Sequence, residues 1–416
     1  MTGQHGYRDS GLRGSEHFLT LMALYLVTLI MRASFYITIA VIQSQSYLGG
    51  LTEWEVASVL IVYPVTELAT VSFFGSYSDK VGRKPILVSS LFITALAAFL
   101  FAIAPNALIL LPFAAVFGLG AASKVTTTLS MIADCSSEGN RARLMGYYDL
   151  STLMGLAGGY GLGIILLHFE FEPTLILLLA TTALLVSGVI AFFALSETRI
   201  HVEIEASMRD LIKKVASDRR IQLMLPVYVP IISLYGLLIA NVERIIEEHF
   251  TLTNMDLIGL FGMLGGSLVL GIIVMGHLSD YIMKRRPFIV TGLIGFGALA
   301  YLLVSNAGEG GIAALWSIWP LIPILGFIAG SFPPAAMAYL TDVSDEDSRG
   351  STMGVYSIFF GSGMIIGPAA GAYAYSIYNL LGLAVLCAIL IAIACIGTYF
   401  LPEVQVEGKK SHHPTG

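Results

Sequence analysis

Four charged residues stand inside stretches otherwise built from Leu, Ile, Val, Ala, Gly and aromatic residues: Arg32, Glu67, Lys124 and Asp149. Two cations and two carboxylates are the makings of a substrate-binding or coupling site. A carboxylate held by a cation can carry a proton when its neutralisation is linked to movement. A buried guanidinium such as Arg32 suits an anionic or hydrogen-bonding group on a bound solute. A charge at the centre of a bilayer costs at least about 2.5–3.5 kcal/mol, so each of the four needs a partner or a cavity. At about 1.5 Å per helical residue, Glu67 stands roughly 12 Å above Gly75, Lys124 roughly 15 Å above Asp134 and Asp149 roughly 9 Å above Arg143. These three share a depth and are candidates for one network. Arg32 stands roughly 23 Å above His17, nearer the opposite face. Glu67 is the first candidate for the coupling group and Asp149 the second; a static salt bridge that orders the helices is the plain alternative.

The elements that must hold these charges are membrane helices. Hydrophobic residues make up 56% of the 416-residue chain, charged residues 12%, and the mean hydropathy is +0.81. A soluble protein carries about a quarter of its residues charged. Twelve charge-poor stretches are long enough to span about 30 Å of hydrocarbon. They run roughly over 18–43, 54–76, 86–104, 108–132, 143–167, 174–196, 221–245, 256–279, 287–305, 312–340, 351–376 and 380–401. The alternating segments of a β-barrel are absent. The expected fold is an all-α membrane protein of twelve transmembrane helices in two pseudo-symmetric six-helix bundles. Residues 1–196 form the first bundle, 197–220 a linker, 221–402 the second bundle and 403–416 a tail. Met208, Leu211, Ile212 and Val215 predict a short amphipathic helix on the membrane surface within the linker.

Of the 22 Lys and Arg, all but Arg32, Lys124 and Arg244 lie at the termini, in the linker or in every second loop. That asymmetry predicts cytoplasmic termini and a multi-pass protein of the plasma membrane. The net charge of −6 therefore says little about partners, and no nucleic-acid signature is present. The first apolar stretch is too long for a signal peptide and has no small-residue cleavage site. Cys135, Cys387 and Cys395 give no disulfide framework, and neither they nor the eight His have metal-ligand spacing. Arg244, with Glu243, Glu247 and Glu248, reads as a solvated helix end. Trp54, Trp316 and Trp319 read as interfacial anchors.

The chain repeats itself. At a constant offset of 208, Asp134 matches Asp342, Glu138 matches Glu346, Arg141 matches Arg349 and Gly146 matches Gly354. Gly155, Gly159 and Gly163 match Gly363, Gly367 and Gly371 at the same offset. Nearby, Gly75-Ser-Tyr-Ser-Asp79 is echoed by Gly276-His-Leu-Ser-Asp280. Two related halves can rock about a site between them. The four buried charges break the repeat: Lys124 corresponds to Phe332, Asp149 to Ser357 and Glu67 to Leu268. Repeated residues therefore look like machinery, and unrepeated charges like the chemistry of a particular task.

The segment Gly75-Ser-Tyr-Ser-Asp79-Lys-Val-Gly82-Arg83-Lys-Pro85 gives a helix end, a tight turn at Gly82 and a basic cluster. It resembles the signature loop of the major facilitator superfamily, and the resemblance extends over all twelve predicted helices. It implies that Asp79 caps the eleventh helix and that Arg83 pairs with Asp134, closing the cytoplasmic side in one state. In the second copy Tyr281 replaces a basic residue and one extra residue precedes Pro287, which weakens the corresponding lock through Asp280 and Asp342. Gly155, Gly159 and Gly163 resemble the glycine motif of the family's drug/proton antiporters, with Tyr160 where that motif has Pro. Gly363, Gly367-Pro368 and Gly371 match it more fully. Small residues at this spacing also allow close helix packing in any bundle. Those antiporters carry an Arg in the fourth helix near the position of Val116, and this chain does not.

The resemblance implies a secondary active transporter that moves a small organic solute by alternating access. Proton coupling and efflux are favoured, because the sugar-porter motif after the sixth helix is missing. No phosphate-binding loop is present, no cofactor is expected, and no nucleophile–base pair suggests an enzyme. The expected partners are the solute, protons and the lipid bilayer, with the protein acting as a monomer. A transporter-like sensor or scaffold that no longer cycles, and an uptake symporter for an anionic metabolite, are the alternatives.

Overall fold

Backbone groups inside hydrocarbon find no water, so an apolar chain satisfies them internally by coiling into helices. A computed structural model describes residues 14–136, 141–198, 213, 217, 219–250, 252–282, 284–306, 313, 316–343 and 349–402. Most of the linker, with its predicted amphipathic helix, and the tail from 403 onward lie outside the described residues. The first bundle comprises α1 (Gly14–Gln43), α2 (Glu53–Val81), α3 (Arg83–Ala102), α4 (Leu110–Asp134), α5 (Arg141–His168) and α6 (Pro173–Ala194). The second comprises α7 (Arg219–His249), α8 (Asn254–Ile282), α9 (Arg286–Ser305), α10 (Leu321–Ala329), α11 (Phe332–Val343) and α12 (Arg349–Phe400). Among the described residues, 11 helical stretches are long and apolar enough to cross a membrane.

Two spans differ from a simple count of helices. α10 and α11 are the halves of one crossing, interrupted at Gly330, where an added Cβ would lie 2.6 Å from the Leu268 carbonyl of α8. α12 is two crossings: its 52 residues would run about 78 Å if straight, more than twice the hydrocarbon core. Asn379 (φ 50°, ψ −137°) breaks it. Before the break, Gly363 packs on Ile232 and Gly371 on Asn241, so this arm runs alongside α7 in the same direction. After it, Gly397 packs on Pro226 near the start of α7, so the chain has turned back. Twelve crossings result.

Two helix starts on the side away from the chain's first residue carry reciprocal caps. Thr52 and Glu55 form a capping box at α2. Thr253 and Asp256 repeat it at α8: the Asp256 carboxylate accepts from the Thr253 N–H at 2.9 Å, and the Thr253 hydroxyl accepts from the Asp256 N–H at 3.3 Å. Both members stand 201 residues after their counterparts, the offset that relates Gly75 to Gly276.

Small residues set the helix spacing. α5 lies against α1 through Gly155, Gly159 and Gly163, and the first arm of α12 lies against α7 through Gly363, Gly367 and Gly371. Pro368 seats on Gly236, where a Cβ would stand 2.8 Å from its Cδ. Gly159 faces the Ala33 backbone, whereas a Cβ on the adjacent Gly158 would meet nothing within 4 Å. Gly159→Ala is expected to lower the unfolding temperature of the detergent-purified protein by several degrees, through overpacking worth about 1–3 kcal/mol. Gly158→Ala leaves it unchanged or raises it, because Ala is the better helix former by roughly 1 kcal/mol.

Candidate functional site

α1, α2, α4 and α5 bring most of the unrepeated charges together. Gly118 of α4 lies against α2, where a Cβ would stand 2.6 Å from the Tyr63 carbonyl. Gly155 of α5 lies against α1, where a Cβ would stand 2.8 Å from the Arg32 Cβ. These close approaches carry Lys124 and Tyr148 toward Arg32 and Glu67. The glycines of α5 thus have a local consequence beyond packing.

Arg32 is 7% exposed and forms an ion pair with Glu67 of α2, Nη2 to Oε1 at 3.2 Å. Its Nη1 donates to the Tyr63 hydroxyl one turn before Glu67. Tyr63 stacks on Phe35 with ring centroids 3.9 Å apart, and Phe117 of α4 closes the apolar wall behind them. The depth count placed Arg32 away from Glu67; the structure corrects it. A helical side chain leans toward the N-terminus of its helix, and the long arginine stem adds to that reach. The guanidinium therefore descends to the level of Glu67.

Lys124 is 1% exposed, and its Nζ has no hydrogen-bond partner among the described residues. It lies 4.8 Å from the centre of the Tyr148 ring. Arg32 and Glu67 are both within its electrostatic reach. The Tyr36 hydroxyl on α1 and the Thr128 hydroxyl, one turn along α4 from Lys124, are likewise buried without a hydrogen-bond partner. Asp149 follows Tyr148 in α5, and its side chain lies outside the described residues.

A second polar cluster joins the ends of α3, α4 and α6. Gly82 turns the chain from α2 into α3 at φ 119°, which favours glycine, and a Cβ there would stand 2.9 Å from Glu197 Oε2. Glu197 accepts from the backbone N–H groups of Arg83 and Lys84 at 3.0 and 3.1 Å, capping α3 from a distant part of the chain. The Arg83 guanidinium pairs with Asp134, whose carboxylate also accepts from the Thr198 hydroxyl at 2.9 Å. Gly75 is buried one turn before, and its carbonyl accepts from Ser78. In the second copy Asp280 pairs with Arg285 of its own loop at 2.5 Å, and a Cβ on Gly276 would stand 3.2 Å from Pro334 of α11. The side chains of Asp79, Arg141, Asp342 and Arg349 lie outside the described residues.

The two bundles meet away from the termini through Gln43 at the end of α1. Its amide donates to the Ile239 carbonyl of α7 at 2.6 Å and its Oε1 accepts from the Tyr160 hydroxyl at 2.6 Å. Tyr160 stands where the resembling motif has proline, and here it fixes an interbundle strut. Tyr63, Tyr36, Glu197, Thr198 and Gln43 were not singled out from sequence. Only Glu197-Thr198 left a trace there, in the similar endings Leu-Ser-Glu-Thr and Leu-Pro-Glu-Val of the two halves.

Twelve crossings in two related halves, with charges enclosed in one half, define a membrane transporter rather than an enzyme. The family model for the Major Facilitator Superfamily matches residues 21–318 and 231–415, and the chain belongs to that family. It is 26% identical over 343 residues to the class G tetracycline resistance protein of Vibrio anguillarum, covering 77% of this chain and 80% of that one. It is 22% identical over 331 residues to multidrug resistance protein 2 of Bacillus subtilis, covering 77% and 79%. The class C tetracycline resistance protein of Escherichia coli is 33% identical over 98 residues, a match spanning 23% of that protein. Two solved structures share the fold. The human organic anion transporter MFSD10 has a TM-score of 0.66 at 15% identity, with 93% of this chain and 99% of that one covered. A bacterial homolog of the human lysosomal transporter Spinster, inward-facing and unoccupied, has a TM-score of 0.68 at 13% identity, with 94% and 97% covered.

Cys135 reports on the Arg83–Asp134 cluster. Burial, with the neighbouring Asp134 charge, pushes its thiol up to about 11, while Arg83 works in the opposite sense. The thiolate is the reactive form, so maleimide labelling of a Cys387→Ala/Cys395→Ala protein is expected to rise about tenfold per pH unit between pH 8 and 10. Arg83→Gln removes the lowering influence and slows labelling at any fixed pH in that range.

Proposed function

We propose that the chain is a proton-coupled exporter of small organic solutes, acting as a monomer in the plasma membrane with both termini in the cytoplasm. The observation that carries this reading is the Arg32–Glu67 pair, buried in one bundle and absent from the symmetry-related place in the other. The distribution of Lys and Arg supports the orientation. The names of the relatives, resistance proteins for tetracycline and for multiple drugs, support export.

With Glu67 ionised, its carboxylate holds Arg32 and the two charges offset each other in the hydrocarbon core. A proton arriving at Glu67 removes the negative charge. Arg32 keeps its hydrogen bond to the Tyr63 hydroxyl but loses the ion pair, and the affinity of the cluster for an anionic or polar solute group changes. Conversely, the deprotonated carboxylate competes with that group for Arg32. This competition links the solute's hold on Arg32 to the protonation of Glu67, so that solute and proton movement are coupled at one site. The cap of Glu197 on α3 and the Arg83–Asp134 pair keep the α2–α3 loop in register, so that Asp79 is held for its partner across the bundles. The Gln43 strut would break and re-form in each cycle.

The test is transport by purified protein in proteoliposomes with an imposed pH gradient and a panel of radiolabelled solutes. Wild type is expected to accumulate at least one solute when the gradient is present. Glu67→Gln should abolish gradient-driven accumulation while leaving counterflow of the same solute between equal-pH compartments measurable. Gradient-driven accumulation untouched by both Glu67→Gln and Asp149→Asn rules out coupling at these carboxylates. Ligand binding with no movement of any solute favours a sensor.

A further inference from the structure

The cluster holds one more basic group than the proton-coupling step uses. Among its described side chains two cations, Arg32 and Lys124, face one carboxylate, and that carboxylate is committed to Arg32 at 3.2 Å. Lys124 is left with a ring face and no hydrogen-bond acceptor. Lysine almost never lies fully buried unless paired, and a cation–π contact does not replace an ammonium's hydration. The Tyr36 hydroxyl on α1 and the Thr128 hydroxyl, one turn along α4, are also buried without partners among the described residues. A buried amine without an acceptor is the complement of an oxyanion.

We propose that Lys124 anchors the anionic group of the transported solute, so that the cargo is an organic anion with a carboxylate, or a similar oxyanion, on a largely apolar body. The inference rests on the transporter reading and names its substrate class. Lys124 supplies the charge, and the ring of Tyr148 beside it and the packed Phe35, Tyr63 and Phe117 next to Arg32 make the surroundings apolar. Depth argues for a solute rather than a lipid headgroup. Glu67 stands 14 residues from either end of α2, about 21 Å along the helix and far from the headgroup region. Lys124 has no counterpart in the second half, where Phe332 takes its place, so the repeat does not require it for packing.

The experiment measures thermal stabilisation and equilibrium binding of the full-length protein at fixed pH. The probes are matched carboxylate and carboxamide pairs: benzoate and benzamide, 2-naphthoate and 2-naphthamide, decanoate and decanamide. Wild type is expected to bind at least one carboxylate tenfold or more tightly than its amide. Lys124→Gln should erase that preference, and Lys124→Arg should retain it. A panel in which no carboxylate is preferred, or a preference that survives Lys124→Gln, overturns the proposal.

The fold supplies an independent reading. Lys124→Met removes a buried amine that has no acceptor among the described residues while keeping the side-chain length, so the unliganded variant should unfold at a higher temperature than wild type. A lower unfolding temperature makes Lys124 a structural residue and also overturns the proposal. Binding is read here without any pH gradient. Carboxylate preference can therefore persist if proton coupling fails, and coupling can persist if the cargo is not an anion.

Discussion

An ionised side chain inside hydrocarbon must be compensated within a few ångströms, and this constraint organises the first bundle. Arg32 meets it twice, through the Glu67 carboxylate and the Tyr63 hydroxyl. Tyr63 is in turn fixed by stacking on Phe35, so the ion pair stands against an aromatic wall. Lys124 meets the same constraint only in part, through the face of Tyr148. A group left undercompensated in this way lowers stability. The second half fills the corresponding position with Phe332.

The glycines serve this arrangement. Hydrocarbon offers no hydrophobic drive for helices to associate, so close packing of small residues must supply the contact energy. Gly155 and Gly159 let α5 touch the α1 backbone, and Gly118 does the same between α4 and α2. The side chains around the cluster are thereby brought into reach of one another from four separate helices. The repeated glycines set where the helices stand. Capping boxes at Thr52 and Thr253 extend the repeat to the opposite ends of the helices.

Much of this was legible from residue types and spacing. The twelve crossings follow from hydropathy alone, because every backbone group in a bilayer needs an internal partner. Arg32, Glu67 and Lys124 stood out because charge is rare in such segments. Their pairing was not legible: counting rise per residue locates a Cα, whereas the Arg32 guanidinium reaches a different depth through its stem. Glu197 and Thr198 could not be connected to the α3 start and Asp134 by local pattern, since these contacts join segments far apart in sequence. The reversal at Asn379 falls between the predicted spans 351–376 and 380–401, whereas the split between α10 and α11 depends on the neighbouring helix α8.

Coupling of proton and solute at one cluster requires Glu67 itself to change protonation during transport. Infrared difference spectroscopy of the protein in lipid, with the carboxyl band assigned by Glu67→Gln, observes that event directly. A protonated-carboxyl absorbance that grows on acidification across the pH range of transport, and is missing from Glu67→Gln, is the predicted result. A Glu67 that stays ionised throughout that range, while transport still follows the pH gradient, contradicts coupling at the Arg32–Glu67 pair.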